Sequence, residues 1–253
     1  MSMALAEKEN NALATIGEFT PQNREVAALF KEEQQPVIEI LPRIQIVHAA
    51  QMFQLPSDEM VKEVHAVLIH AQRVNAWWEF SFEDTGGGEP PNCSSRNAVK
   101  PDIPAGETRY TEDGTEISPQ SDDCSKCPKN MYGSSEKEGS NGKACKNMFR
   151  LFFATEGIFT PVLLTVPPTS LKAVSEYISK LQCQGLYYQQ GICKLTLEKK
   201  KSYSKLKMSL AEVMGPERID QLRKLVALRD RYMPVMAGQP FTQDETASAE
   251  ETL

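Results

Sequence analysis

The chain has 253 residues, of which 40% are hydrophobic and 25% charged, with a net charge of −6. Those values suit a soluble chain long enough to bury a core, and argue against a disordered or collagen-like one. No run of about 18 apolar residues is present, which argues against a helical membrane span. The opening MSMALAEKENNALATIGEF lacks the basic start and apolar stretch of a signal peptide, so a cytoplasmic location is expected.

The charge is unevenly spread. Residues 1–148 carry a net −9, residues 149–210 a net +6 and residues 211–253 a net −3. A basic block therefore sits between two acidic ones, and the pI of 5.3 conceals it.

Residues 1–35 are polar, rich in Ala and Glu, and are expected to form a flexible N-terminal arm. VIEILPRIQIVHAAQ (37–51) alternates over Ile44 and Ile46 with Pro42 breaking it, which predicts two short strands or one kinked strand. EVHAVLIHAQRVNAWWEF (63–80) predicts a long strand. Strict alternation would put His65, Val67, Ile69 and Ala71 on one face and Val64, Ala66, Leu68 and His70 on the other.

Residues 83–146 change character. Gly, Pro, Ser, Asn and Asp dominate, and the aliphatic residues thin to Val99, Ile103 and Ile117. So long a segment without a core needs a staple. MFRLFFA (148–154) and PVLLTV (161–166) then read as buried strands. The spacing of Leu171, Val174, Tyr177, Ile178 and Leu181 predicts a helix, capped by Thr169 or Ser170 and ended by Gly185. ICKLTLE (192–198) and SYSKLKMSL (202–210) predict a strand pair. GPERIDQLRKLVALRDRYM (215–233) predicts a helix with Pro216 in its first turn.

The succession strand, strand, strand, helix, strand, strand suits an α+β, mainly β fold: an OB-like five-stranded barrel with a stapled insertion and a C-terminal helix. The expected organisation is an arm over 1–35, the barrel domain over 36–235 with its insert at about 83–147, and a disordered acidic tail over 236–253.

The insert holds Cys93, Cys124, Cys127 and Cys145. Cys124-x-x-Cys127 brings two thiols close enough to grip one ion, and a closed structural site needs four ligands. Cys93 is the favoured fourth; a histidine could come only from His48, His65 or His70. A redox pair would stand at a helix start, which Pro128, Asn130 and Gly133 oppose. The residues therefore favour structural Zn2+ on the four cysteines over incidental cysteines or an oxidised pair. Cys183 and Cys193 read as small buried apolar residues.

KLTLEKKKSYSKLK (194–207) carries six lysines and one glutamate. Lys199, Lys200 and Lys201 would sit at a hairpin turn, with Lys205, Lys207 and Tyr203 on one face of the next strand. Tyr187 and Tyr188 precede the hairpin. Arg73, Trp77 and Trp78 end the long strand, and Lys143 and Lys146 border Cys145. Lysines for phosphates and rings for bases are the equipment of single-strand binding. In an OB barrel the insert and the lysine turn would frame one groove. The plainer readings are a solvated turn, one core tryptophan, and Phe149, Phe152 and Phe153 in the core. The acidic QDETASAEETL reads either as a solubilising tail or as a docking tip.

Four motifs carry a resemblance: Cys93-Ser94-Ser95, Cys124 to Ser134, Gly142 to Lys146 and Pro167 to Lys172. Over residues 40–210 the chain resembles a little-characterised family of phage and mobile-element proteins, and through it phage single-stranded-DNA-binding proteins. Arg96-Asn97 stands where that family often has Asp-Gly. The resemblance implies the four cysteines as zinc ligands. It also implies a non-enzymatic role in DNA replication or recombination in a bacterial host cytoplasm. The partners would be single-stranded DNA and, through the acidic tail, replication or recombination proteins, with no membrane and no small-molecule substrate. The alternative is a zinc-containing interaction module of a polymerase, nuclease or transcription complex. TGGGE (85–89) is too isolated to serve as a phosphate loop, and no catalytic constellation stands out.

Overall fold

A computed structural model describes residues 39–80, 82–112, 114–135, 140–200 and 203–243. The expected arm over 1–35 and the acidic run from Asp244 onward lie outside the described residues. Three short strands come first: β1 (Gln45–Val47), β2 (Met52–Gln54) and β3 (Met60–Val61), joined in one small sheet. β4 (Glu63–Trp77) follows, then the insert with β5 (Cys93–Ser95) and a small hairpin of β6 (Arg109–Tyr110) and β7 (Glu116–Ile117). β8 (Lys146–Ala154) and β9 (Val162–Val166) lead to helix α1 (Leu171–Cys183). β10 (Gly191–Lys199) and β11 (Ser204–Val213) precede helix α2 (Ile219–Gly238).

The main sheet has six strands in the order β11-β10-β4-β8-β9, with β5 paired to the last residues of β4. All its pairings are antiparallel. It is open. The expected OB-like barrel would need β9 and β11 to pair, and among the described residues they do not. Both edges are already occupied. Along β9, Leu163 N donates to Pro42 O and Ile44 N donates to Leu163 O, each at 2.9 Å. Along β11, Ser204 N donates to His48 Nδ1 at 2.9 Å and Leu206 N donates to Ser170 Oγ at 3.0 Å. The molecule is thus a mixed α+β open sheet with helices on both faces. The same bond explains why Ser170 does not cap α1: its hydroxyl accepts from β11 instead.

One face of the sheet packs Val64, Ala66, Leu68, Leu151, Phe153, Cys193 and Leu195 against Val174, Tyr177 and Leu181 of α1. The small β1-β2-β3 sheet closes the same core through Ile46 and Phe53. The other face packs Val67, Ile69, Phe152 and Ile192 against Leu225, Leu228, Tyr232 and Met236 of α2. Phe149, Phe152 and Phe153 are all core, as their apolar setting predicts. Gly191 is required by packing: a Cβ there would stand 2.7 Å from the Tyr177 hydroxyl and 3.0 Å from Leu210.

Strict alternation along β4 fails at one point. Leu68 opposes Phe153 and His70 opposes Phe152, so the ladder slips by one residue between them. This bulge moves Ala71 to the α1 face and His70 to the α2 face, the reverse of the predicted assignment. Beyond it, Arg73, Asn75 and Trp77 share the α1 face, while Gln72, Val74 and Ala76 share the α2 face.

His70 stacks on Phe152 with ring centroids 5.7 Å apart. Burial, and then the nearby Arg229 charge, hold its pKa below the ordinary 6.5. The unfolded chain therefore takes up this proton more readily. His70's contribution to stability is complete above about 6.5 and is lost as pH falls below that value. Thermal melts are expected to show lower stability at mildly acidic than at neutral pH, with the difference smaller in His70→Gln. An unchanged pH dependence in that variant would remove His70 from the account.

Residues 236–243, predicted to begin the tail, are packed instead. Met236, Gln239, Phe241 and Gln243 are all buried. Among the described residues no helix is long and apolar enough to cross a membrane.

Candidate functional site

The insert returns to the sheet at the end of β4. β5 sets Cys93 opposite Trp77 on one side, and β8 sets Lys146 opposite Ala76 on the other, so Cys145 rises beside Trp77. The Cys124–Cys127 turn is pinned by its backbone. Cys124 N donates to Val99 O at 2.9 Å, Asn130 N to Cys127 O at 2.9 Å and Cys145 N to Lys129 O at 2.8 Å. The four thiols then line one pocket, together with Trp77, Asn75, Pro101, Lys129 and Asn130 among others.

Convergence is not coordination. Among the described residues no group of three or more His, Cys, Asp or Glu side chains is arranged to hold a metal ion. The expected structural zinc is therefore withdrawn, and so is the zinc-containing interaction module. All four are free cysteines. Burial, and then the neighbouring thiols, push Cys93 and Cys145 up to about 12. Both thiols are thereby held protonated at neutral pH. Cys193 is buried as predicted, whereas Cys183 is exposed.

Beside the pocket an asparagine hub ties insert to sheet. Asn147 Nδ2 donates to Asn75 Oδ1 at 2.8 Å and to Asn130 Oδ1 at 2.9 Å. Lys143 Nζ donates to Asn147 Oδ1 at 3.1 Å and to Asn130 Oδ1 at 3.2 Å. Around this hub three cations stand over three rings. Arg73 lies 5.1 Å from the Phe149 ring centroid, Lys129 4.7 Å from Trp77 and Lys143 5.0 Å from Tyr132. Together they form a strip along the α1 face at the end of β4. Among the described residues neither Arg73 nor Lys143 makes an ion pair.

The residues predicted to bind nucleic acid do not form one groove. Arg73, Trp77 and Lys143 meet in the strip. Lys146 pairs with Ala76 and so belongs to the opposite face. Trp78 is half-buried near Val74 and Phe241, and its Nε1 donates to Glu89 O at 2.9 Å. Tyr188 packs against the α1-side core, while Tyr187 is exposed at the turn before β10.

The lysine hairpin lies at the far end of the sheet. Thr196 pairs with Glu63, the first residue of β4, and Lys199 pairs with Ser204 beyond it. The strip begins where β4 ends, so roughly 45 Å of strand separate them. Glu198 also binds Lys200 at 2.7 Å and Lys207 at 3.0 Å, and those contacts hold its carboxyl down at about 2. Lys205 shares its face with Lys207, Tyr203 precedes the strand, and Lys201 lies outside the described residues.

Two of the three rings are unsuited to stacking bases, and Tyr132 alone of the three is exposed. Trp77 and Phe149 are buried, and their accessible faces are covered by Lys129 and Arg73. Sequence reading missed Lys129, Asn130, Tyr132, Asn75 and Asn147. The signal for the first three was their place directly after Cys127, in the turn that the cysteines position.

Comparison with protein-family models, with characterised proteins and with solved structures finds no match to this chain. The resemblance to phage single-stranded-DNA-binding proteins is therefore not upheld. The open sheet, the divided lysines and the absence of a metal cluster among the described residues remove the grounds for a single-stranded-DNA-binding OB protein of replication or recombination.

Proposed function

We propose that the chain is a non-enzymatic docking protein that receives an acidic segment of a protein partner on the Arg73–Lys143–Lys129 strip. The observation that carries this reading is the mounting of three cations over rings along one row. A cation held over a ring is pre-positioned, so less side-chain entropy is lost when a carboxylate arrives. Trp77 and Phe149 are covered by their cations, which leaves Tyr132 as the one exposed ring of the three, and a strip with a single open ring suits carboxylates better than a run of stacked bases. A cytoplasmic setting suits the six free thiols.

The test is fluorescence anisotropy of a labelled Asp/Glu-rich peptide and, in parallel, a labelled poly-dT oligonucleotide, each at low and high salt. The peptide is expected to bind in a salt-sensitive way, with Arg73→Glu weakening it about tenfold. Arg73 is exposed, so that variant retains the fold. No peptide binding, or tighter binding of the oligonucleotide, would overturn the reading.

A further inference from the structure

We propose that the four-thiol pocket is an oxidation site, where a small-molecule disulfide joins one insert cysteine, Cys124 or Cys127, to one sheet cysteine, Cys93 or Cys145. The argument begins with the composition of the insert. Apart from Ile103, Pro91 and Pro119, the buried apolar side chains among the described residues between 83 and 145 are cysteines. The thiol cluster is thus the nearest thing the insert has to a core, and it lies where the insert touches the sheet.

Strand geometry restricts the pairing. Cys93 and Cys145 flank Trp77 on opposite sides of β4, two strand spacings or about 10 Å apart. That exceeds the roughly 7 Å Cα separation a disulfide tolerates. Each sheet cysteine must therefore find its partner in the Cys124–Cys127 turn. The backbone bond from Cys145 N to Lys129 O holds that turn against the sheet.

The chemistry is two exchanges. One protein thiolate attacks a sulfur of the small disulfide, whose S–S bond breaks and releases one small thiolate. The second protein thiolate attacks the protein sulfur of this mixed disulfide and releases the other. Two protein thiols are oxidised, one small disulfide is reduced to two thiols, and the two cysteine protons end on them. Because burial keeps Cys93 and Cys145 protonated, exchange is slow at neutral pH and quickens as pH rises.

The chain supplies its own controls. Cys183 is exposed and is not among the residues that line the thiol pocket. Cys193 is fully buried, and its thiol donates to Ala66 O at 3.1 Å. The experiment incubates the full chain with oxidised glutathione, alkylates the remaining thiols and maps the peptides by mass spectrometry. One insert-to-sheet bond is expected, with Cys183 carrying glutathione and Cys193 free. Thermolysin cleavage within the insert is expected to slow about tenfold in the oxidised chain. Glutathione on single cysteines without a cross-link, a Cys124–Cys127 or Cys93–Cys145 bond alone, or stoichiometric metal in the purified chain would each overturn the proposal.

Discussion

Replacing Arg150 by leucine is expected to destabilise the protein by about 2–5 kcal/mol, the cost of leaving two carbonyls without their charged donor. Arg150 stands in the middle of β8, between Phe149 and Leu151, and is fully buried on the α2 face. Its guanidinium donates to Gln239 O at 2.8 Å and Pro240 O at 2.7 Å, and lies 3.9 Å from the centre of the Phe241 ring. Both carbonyls come directly after the last residue of α2, at the negative end of the helix dipole. The cation is therefore solvated by the end of a helix and by a ring. Leucine would fill most of the volume and leave two buried carbonyls without those donors. Urea denaturation measures the loss, and Arg150→Lys should recover part of it. A change below about 1 kcal/mol would show that the C-terminal segment is held by Phe241 and Gln239 without the guanidinium.

Asn147→Ala is expected to act locally and almost as strongly, by about 3 kcal/mol, from three side-chain hydrogen bonds lost to the buried Asn75 and the half-buried Asn130 and Lys143. Its amide joins Asn75 on the sheet to Asn130 in the insert, and its carbonyl holds Lys143. The insert has little apolar burial to compensate. Limited proteolysis within residues 98–135 should therefore accelerate about 100-fold, while the sheet itself melts nearly unchanged. Equal loss in the insert and the sheet would mean that the two unfold as one unit.

Much of the architecture was legible because it depends on neighbouring residues. Short apolar runs at 148–154 and 161–166 became β8 and β9, and the stripe from Leu171 to Leu181 became α1. Arg150 was not singled out from the sequence, because its acceptors lie about 90 residues further on. The candidate site was legible in part. Cys93, Cys124, Cys127 and Cys145 do gather in one pocket, and Arg73, Trp77 and Lys143 lie toward the same end of the same sheet face. The extension of that strip to the lysine hairpin was not legible, because it assumed a closed barrel.

By itself the sequence determined the order of the long strands β4 and β8 to β11 and of the two helices, the coreless character of residues 83–146 and the grouping of four thiols within it. Those features follow from side-chain periodicity and composition over short windows. Tertiary structure alone decided that β9 and β11 stay apart, that a bulge after Leu68 exchanges the faces of β4, and that the lysine turn and the cation strip occupy opposite ends of the sheet. Each depends on which distant backbone groups pair: residues 42–44 take the edge of β9, and His48 and Ser170 take that of β11. Such pairings join positions up to 156 residues apart, as between His48 and Ser204, and no local window of residues contains them.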